Sequence, residues 1–277
     1  DAHWGAEETY DYFLSEHNRN SFDDNGAKIY SFVHYSEDYD NAFWNGSFMT
    51  YGDGKSFKPL TALDVCGHEI AHAVTTNTAN LIYKNESGAL NESFSDIFGQ
   101  SVEARSRPSQ WQWKMGEDIT NSGNGLRDMS NPNPYNDPQY FKGVKWYSGT
   151  GDNGGVHINS GVQNYWYYLL VDGVSGTNEV GDNYDIDSLG FTKAGKIAYR
   201  NLSIYLTPSS TYADARTYSI LSAADLYGQC SPEVIAVTNA WWVCGVGNEY
   251  DSSQVTADFI GDTLACKTGD TLEFINR

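Results

Sequence analysis

The run His68-Glu69-Ile70-Ala71-His72 constrains this chain more than any other feature of it. On an α-helix, residues four apart lie on one face, so His68 and His72 can turn two imidazole nitrogens toward one point. That spacing suits a single Zn²⁺, with Glu69 standing beside the ion as a base. A chain of this composition contains such a motif by chance roughly 0.6% of the time, so the downstream residues decide how far the reading extends.

From Ser87 to about Ser106 the pattern predicts a second helix, because Leu90, Phe94, Ile97, Phe98 and Val102 recur at spacings of three and four as a core-facing stripe does. On that helix Glu92, Asp96 and Glu103 share another face, since steps of four and seven drift little from whole turns. The upstream helix carries a matching stripe of Asp64, His68 and His72. If the turn-rich segments 76–80 and 85–88 let the helices pack antiparallel, the stripes meet in order. His72 then faces Glu92, His68 faces Asp96, and Asp64 faces Glu103.

Each pairing has a chemical reading. Glu92 beside His72 completes a set of two histidines and a glutamate, leaving the fourth position of a tetrahedral zinc for water, as in a catalytic site. Asp96 beside His68 accepts the imidazole N–H that faces away from the ion, which fixes tautomer and ring orientation. Asp64 and Glu103 repel unless one is protonated or a cation lies between them, and oxygen ligands favour Ca²⁺. Simpler readings stay open beside these. Asp64 follows Thr61 at capping-box spacing, a role compatible with a calcium role, and Asp96 and Glu103 also read as solvated helix-surface charges. Cys66 stands half a turn off the histidine stripe, which favours a packed or bridged cysteine over a ligand.

Four motifs in fixed order carry a family resemblance: Asn41-Ala42-Phe43-Trp44-Asn45-Gly46; His68 to Thr75; Glu86 to Glu92 with Ser95 to Gly99; and Gly154-Gly155-Val156-His157-Ile158-Asn159-Ser160-Gly161. Together they resemble the thermolysin family of secreted zinc endopeptidases, from the first residues to about Gly247. The resemblance implies zinc on His68, His72 and Glu92, Glu69 as general base, and Asp96 orienting His68. It implies that His157, held by Asp152, and Tyr83 stabilise the oxyanion of the tetrahedral intermediate. Arg127 would bind a substrate carbonyl, and Asn41 with the Ala42 backbone would align the peptide as an added strand.

The implied roles fit the chemistry, since zinc lowers the pKa of its water, a carboxylate can relay the proton, and fixed N–H and O–H donors suit a developing oxyanion. Spacing offers His157 only one orienting partner, Asp152, in the glycine-rich stretch Gly151 to Gly155, while Tyr83 is one of twenty tyrosines and has no spacing signal. The family's specificity pocket falls on Phe57, Leu60, Val65, Met115, Ile119 and Leu126. All are apolar, which predicts cleavage on the amino side of bulky hydrophobic residues.

The chain also departs from the family. Between Glu103 and Glu117, where more carboxylates are usual, Ser109 to Lys114 contains no acid, so one Ca²⁺ on Asp64, Glu103 and Glu117 is expected rather than a pair. The acid-free loop Thr120 to Gly125 argues against a further calcium, and Asp182, Asp185 and Asp187 read as a solvated turn. Asp1-Ala2-His3-Trp4 already resembles the middle of the family's first domain, so much of its β-rich opening is expected to be missing. No leader segment is recognisable, which reads as a mature form.

The expected fold is α+β: a two-lobed zincin metalloprotease with a β-rich N-terminal lobe bearing the HExxH helix and a mainly helical C-terminal lobe. Residues 1–81 would form a partial N-terminal lobe, 82–247 the helical lobe and 248–277 an extension. Residues 1 to about 60 read as strands in short alternating pieces such as Ile29 to Tyr35. Helical periodicity runs over Ser160 to Leu170, Lys193 to Leu206, Tyr212 to Tyr227 and Pro232 to Val243.

Seventeen basic and thirty-six acidic residues give a net charge of −19, which argues against nucleic-acid or anionic-membrane partners and suits a protein working outside the cell, while the resemblance implies a secreted, extracellular monomer acting on polypeptides. The four cysteines Cys66, Cys230, Cys244 and Cys266 permit three full pairings; Cys230 and Cys244 flank a helix about 20 Å long, too far apart to bridge, and a Cys244 to Cys266 disulfide would anchor the tail. Two other readings remain: a zinc hydrolase of non-peptide substrates, and an inactive metal-stabilised binding module, which would be expected to lose Glu69 or His157.

Overall fold

The structure, a computed structural model, describes residues 1–251. Residues 252–277 lie outside that range, and with them Cys266 and most of the predicted extension 248–277. The chain opens on helix α1 (Ala2–His17), followed by strands β1 (Ser31–Phe32), β2 (Ala42–Trp44) and β3 (Met49–Tyr51) and the metal-motif helix α2 (Leu63–Thr76). After it come α3 (Asn85–Ser106), the short strands β4 (Lys114–Met115) and β5 (Arg127–Asp128), α4 (Asp152–Asn159) and α5 (Gly161–Asp172). The hairpin β6 (Ser175–Thr177) and β7 (Asn183–Asp185) and helices α6 (Gly190–Arg200), α7 (Tyr212–Tyr227) and α8 (Pro232–Val243) complete the described chain.

Helix α1 departs from the strand-rich opening read from the sequence. Its buried face is Ala2, Gly5, Thr9, Tyr12 and Phe13, a helical repeat whose middle members are small or polar, so it carries little apolar signal. Gly5 is required there, because a Cβ would lie 2.5 Å from the Cβ of Cys66 on α2. Of the expected strand Ile29 to Tyr35 only Ser31 and Phe32 form β1; on either side of it the Tyr30 carbonyl accepts the Met49 N–H and the Tyr35 N–H donates to the Tyr51 carbonyl, and the positive φ of His34 interrupts the ladder. The sheet has the order β1-β3-β2, with β1 parallel and β2 antiparallel to β3. Its outer strand β2 carries the expected substrate edge, with Ala42 opposite Tyr51 and Trp44 opposite Met49.

Two apolar cores flank α2. Leu63, Ala71 and Val74 face the larger one, where Trp166 of α5 stacks on Trp241 of α8 at 4.9 Å. Val65, Cys66, Ile70 and Ala73 face the smaller one beneath the sheet, with Met49, Tyr51 and Ile119. A helix buried on both sides places its remaining polar residues at the junction of two lobes. Cys66 is a free, buried thiol pushed up to about 12 by burial, hence a packing residue. Cys244, at the end of α8, is likewise free and buried in the larger core, which argues against a Cys244 to Cys266 bridge.

In the C-terminal lobe the helices begin where local chemistry starts them. Thr211 and Asp214 form a reciprocal capping box on α7, and Ser231 caps α8 with Pro232 in its first turn. The periodicity read from Lys193 to Leu206 covers most of α6 and a turn of π-helix, Asn201–Tyr205.

Candidate active site

Helices α2 and α3 are joined closely enough for their polar stripes to meet because both carry a glycine at the crossing. A Cβ on Gly67 would lie 2.9 Å from the Cα of Gly99. The stripes then pair in the predicted antiparallel order, with Asp64 and Glu103 at one end, His68 and Asp96 in the middle, and His72 with Asn91 and Glu92 at the other. Asp64 does not cap its helix, since α2 starts from Ala62 without a side-chain cap and Asp64 instead accepts the N–H groups of Val65 and Gly116.

His68 Nδ1 faces Asp96 Oδ1 at 2.8 Å, and His72 Nδ1 faces Asn91 Oδ1 at 2.7 Å. The Asn91 amide is oriented by its own donation to the Leu81 carbonyl at 3.2 Å, so its oxygen is the atom presented to His72. Both Nε2 atoms consequently turn inward, 3.0 Å apart, and each lies 3.4 Å from a Glu92 carboxylate oxygen. Glu92 is fully buried and its Oε2 makes no hydrogen bond. Burial opposes protonation of His68, yet the carboxylates of Asp96 and Glu92 outweigh it and raise its pKa to about 10. The centre of this cluster therefore demands positive charge, and two imidazole nitrogens with a carboxylate oxygen are a donor set that fits zinc. His68, His72 and Glu92 can hold one ion.

Around this point the structure assembles most of the residues the sequence pointed to. A cleft of about 550 Å³ is lined by His68, His72 and Glu92 and by Glu69, Tyr83, Arg127 and His157. Glu69 is buried, and its Oε2 accepts the Trp44 N–H at 3.0 Å, so the carboxylate is aimed from the edge strand into the cleft. Tyr83 Oη lies 3.1 Å from His157 Nε2 and also bonds Glu92; burial and the charge of Glu92 hold its phenol well above the ordinary tyrosine range, as a protonated donor.

His157 lies in α4 rather than in an open loop. Its first four residues, Asp152, Asn153, Gly154 and Gly155, all have positive φ, two of them non-glycine, and this left-handed turn folds Asp152 back under the imidazole. Asp152 Oδ1 meets His157 Nδ1 at 2.6 Å and Oδ2 accepts its backbone N–H at 2.9 Å, leaving Nε2 directed at Tyr83.

Arg127 lines the cleft but is also bound to Asp96, through Nε at 2.8 Å and Nη2 at 2.6 Å. Burial works against ionisation of Asp96, yet Arg127 and His68 hold its carboxyl down at about 2. Sequence spacing missed Asn91, although it sits beside Glu92 on the facing helix and the stripe argument could have found it. It also missed Asn164, whose Nδ2 donates to Asp96 Oδ2 at 2.7 Å from a helix 68 residues further along the chain.

Asn41, Ala42, Leu60, Val65, Met115, Ile119 and Leu126 line the same cleft, as do Phe43 and Trp44 of the first motif and Thr76, Leu81 and Gly116, which the sequence did not single out. Phe57 is not among the lining residues and packs against the smaller core, its backbone N–H turned to the Asp40 carboxylate at 3.2 Å.

The second group of facing acids is buried and tight. One carboxylate oxygen from each of Asp64, Glu103 and Glu117 lies within 4.8 Å of the others. Burial, with the charges of Asp64 and Glu117, raises Glu103 to about 9, and burial with Asp64 raises Glu117 to about 7. Glu103 Oε2 and Glu117 Oε2 make no hydrogen bond, although Arg107 reaches Glu103 Oε1 at 3.1 Å and Asp118 at 2.6 Å. Asp182, Asp185 and Asp187 form no comparable group among the described residues.

Two histidines and a glutamate on paired helices, beside a second glutamate in a cleft between lobes, define the class of the helical metallopeptidases. The chain belongs to the thermolysin family. Residues 1–76 match the family's model for the thermolysin metallopeptidase catalytic domain, and residues 79–246 match that for its alpha-helical domain. A bacillolysin of Brevibacillus brevis is 50% identical over 254 residues, which cover 89% of this chain and 45% of that one. A thermolysin of Alicyclobacillus acidocaldarius is 48% identical over 256 residues, covering 89% and 45%. The chain thus spans about half the length of these curated relatives. The solved precursor of protealysin, a metalloproteinase from Serratia proteamaculans, superposes with a TM-score of 0.77 at 34% identity, covering 89% of this chain and 77% of that one.

Proposed function

We propose that this chain is the catalytic part of a secreted, monomeric zinc endopeptidase that cleaves polypeptides on the amino side of bulky hydrophobic residues. The observation that carries this reading is the convergence of His68 Nε2, His72 Nε2 and Glu92 on a cleft that also holds the Glu69 carboxylate. In this reading residues 1–81 and 82–247 are the two lobes, with α2 at their junction.

When bound by His68, His72 and Glu92, zinc supplies Lewis acidity toward a carbonyl and lowers the pKa of a water ligand. Glu69 takes a proton from the attacking water and passes it to the leaving nitrogen; its bond from the Trp44 N–H holds the carboxylate toward the reacting centre. Tyr83 and His157 offer an O–H and an N–H to the oxyanion. Asp152 keeps the His157 proton-bearing nitrogens in register, and Arg127, anchored by Asp96, offers its remaining N–H groups to a substrate carbonyl.

The edge strand Ala42–Trp44 and Asn41 align the peptide by strand addition. Leu60, Val65, Met115, Ile119 and Leu126 receive the side chain that follows the scissile bond, with Phe57 supporting that wall from the core. One Ca²⁺ on Asp64, Glu103 and Glu117 neutralises buried carboxylates beside this pocket. Extracellular action is supported by the family and by the net charge of −19, and no helix of the described residues is long and apolar enough to cross a membrane.

Casein hydrolysis by the protein and by Glu69→Ala at equal zinc content tests the reading. Activity should fall by at least about 10²-fold in the variant. Equal inertness of both proteins, or equal activity, refutes it.

A further inference from the structure

We propose that Asn164, on α5, is a positioning residue for the metal ligand His68, acting through Asp96. The inference rests on the zinc reading above and adds a residue to it.

Asp96 is fully buried and accepts four donors: His68 Nδ1 at 2.8 Å and Arg127 Nη2 at 2.6 Å on Oδ1, Arg127 Nε at 2.8 Å and Asn164 Nδ2 at 2.7 Å on Oδ2. An ionised carboxylate has about four lone-pair sites, so the set is complete. With every site filled by a fixed donor, the carboxylate cannot rotate, and the imidazole that donates to it keeps one plane and one tautomer. Asn164 supplies the only one of the four bonds that comes from the helices following the His157 turn, and so ties the position of His68 to the C-terminal lobe.

The rest of the Asn164 side chain makes the donor role specific. Asn164 is 1% exposed, and its Oδ1 has no hydrogen-bond partner. A buried amide with an orphaned oxygen is a poor packing element, because its Oδ1 has been taken out of water without a partner in return. Flipping the amide would set Oδ1 against the Asp96 carboxylate oxygen, so the observed orientation is the only one Asp96 tolerates. The amide group is accounted for by one bond, Nδ2 to Asp96.

The test uses zinc affinity, measured by competition with a chromophoric chelator on the full chain, for the parent, Asn164→Leu and Asn164→Ala. Leucine keeps nearly the same volume and removes both the donor and the orphan. We expect zinc to bind about 10- to 100-fold more weakly in both variants and to be lost faster to excess chelator, as for other residues that hold a ligand in place. The metal-free Leu variant should still unfold cooperatively, somewhat below the parent's temperature, because Asp96 Oδ2 keeps only its bond from Arg127 Nε.

Zinc affinities within about twofold of the parent in both variants would overturn the proposal. So would parent-like zinc binding in Asn164→Leu with loss only in Asn164→Ala, since volume alone would then explain the residue. A parent that binds no zinc overturns it as well. A parent that binds zinc with the expected variant pattern yet cleaves no peptide supports this role and sinks the peptidase reading, so the two are separable.

Discussion

Gly99 on α3 rests on the backbone of Asp64 on α2 so closely that a methyl group at Gly99 would lie 2.6 Å from the Asp64 carbonyl oxygen. The same methyl would sit 3.3 Å from the His68 backbone nitrogen. Neither backbone atom can move without moving the metal helix. Gly99→Ala should therefore separate the helices at their crossing, destabilise the protein by about 1–3 kcal/mol and weaken zinc binding at the same time. Thermal unfolding and a zinc titration check this together, and a parent-like result in both would show that the crossing has slack.

The acid cluster predicts how stability depends on pH and calcium. Glu103 and Glu117 bind their protons more tightly in the folded protein than the ordinary glutamate value of 4.5, chiefly because they are buried. Between that value and their folded values the native state holds more protons than the unfolded chain, so stability falls as pH rises. The loss should be spread over the interval up to about 7 for Glu117 and about 9 for Glu103. Calcium on the three carboxylates would offset it. With zinc saturating, the unfolding temperature should decline through this range in calcium-free buffer and stay nearly level with calcium added. A calcium effect that does not grow with pH would count against a cation at these residues.

The middle of the fold is legible because helix periodicity fixes which residues share a face. Steps of four along Asp64, His68 and His72, and of four and seven along Glu92, Asp96 and Glu103, are enough to place two stripes opposite each other, and the observed contacts follow that order. What spacing does not encode is chain reversal and long-range contact. Asp152 reaches His157 only because four consecutive residues adopt positive φ, and no periodicity announces a left-handed turn with two non-glycine members. Asn164 bonds Asp96 across 68 positions of sequence. Helix α1 hides behind Gly5 and Thr9, which are buried for close approach and a backbone hydrogen bond rather than for apolar area.

His157 should matter for the chemical step and not for metal binding. Its ring is about half exposed at the cleft, its Nε2 is directed to Tyr83, and it contributes no ligand to the zinc set. His157→Ala should lower kcat by about 10²- to 10³-fold, the range found when one oxyanion donor is removed, while zinc content stays at that of the parent. Asp152→Asn should give a smaller loss, because an amide oxygen can still accept from Nδ1 and hold the ring in place. A parent-like kcat for His157→Ala would remove it from the catalytic set.

The wall formed by Leu60, Val65, Met115, Ile119 and Leu126 makes the specificity prediction, and Ile119 is its most direct probe. Ile119 is 1% exposed, belongs to the smaller core, and its backbone carbonyl accepts the Lys58 N–H at 2.8 Å, so the main chain at this point is pinned. Truncating its side chain should enlarge the pocket without moving the wall. An enclosed apolar pocket discriminates by about 1–3 kcal/mol per methylene gained or lost. In a peptide library the parent should prefer bulky hydrophobic residues after the cleaved bond, and Ile119→Ala should shift that preference toward larger side chains such as phenylalanine at the expense of valine. Because the lining carries no charge, neither protein should select an acidic or basic residue at that position; a library showing charged residues preferred there would sink the assignment of this wall as the specificity pocket.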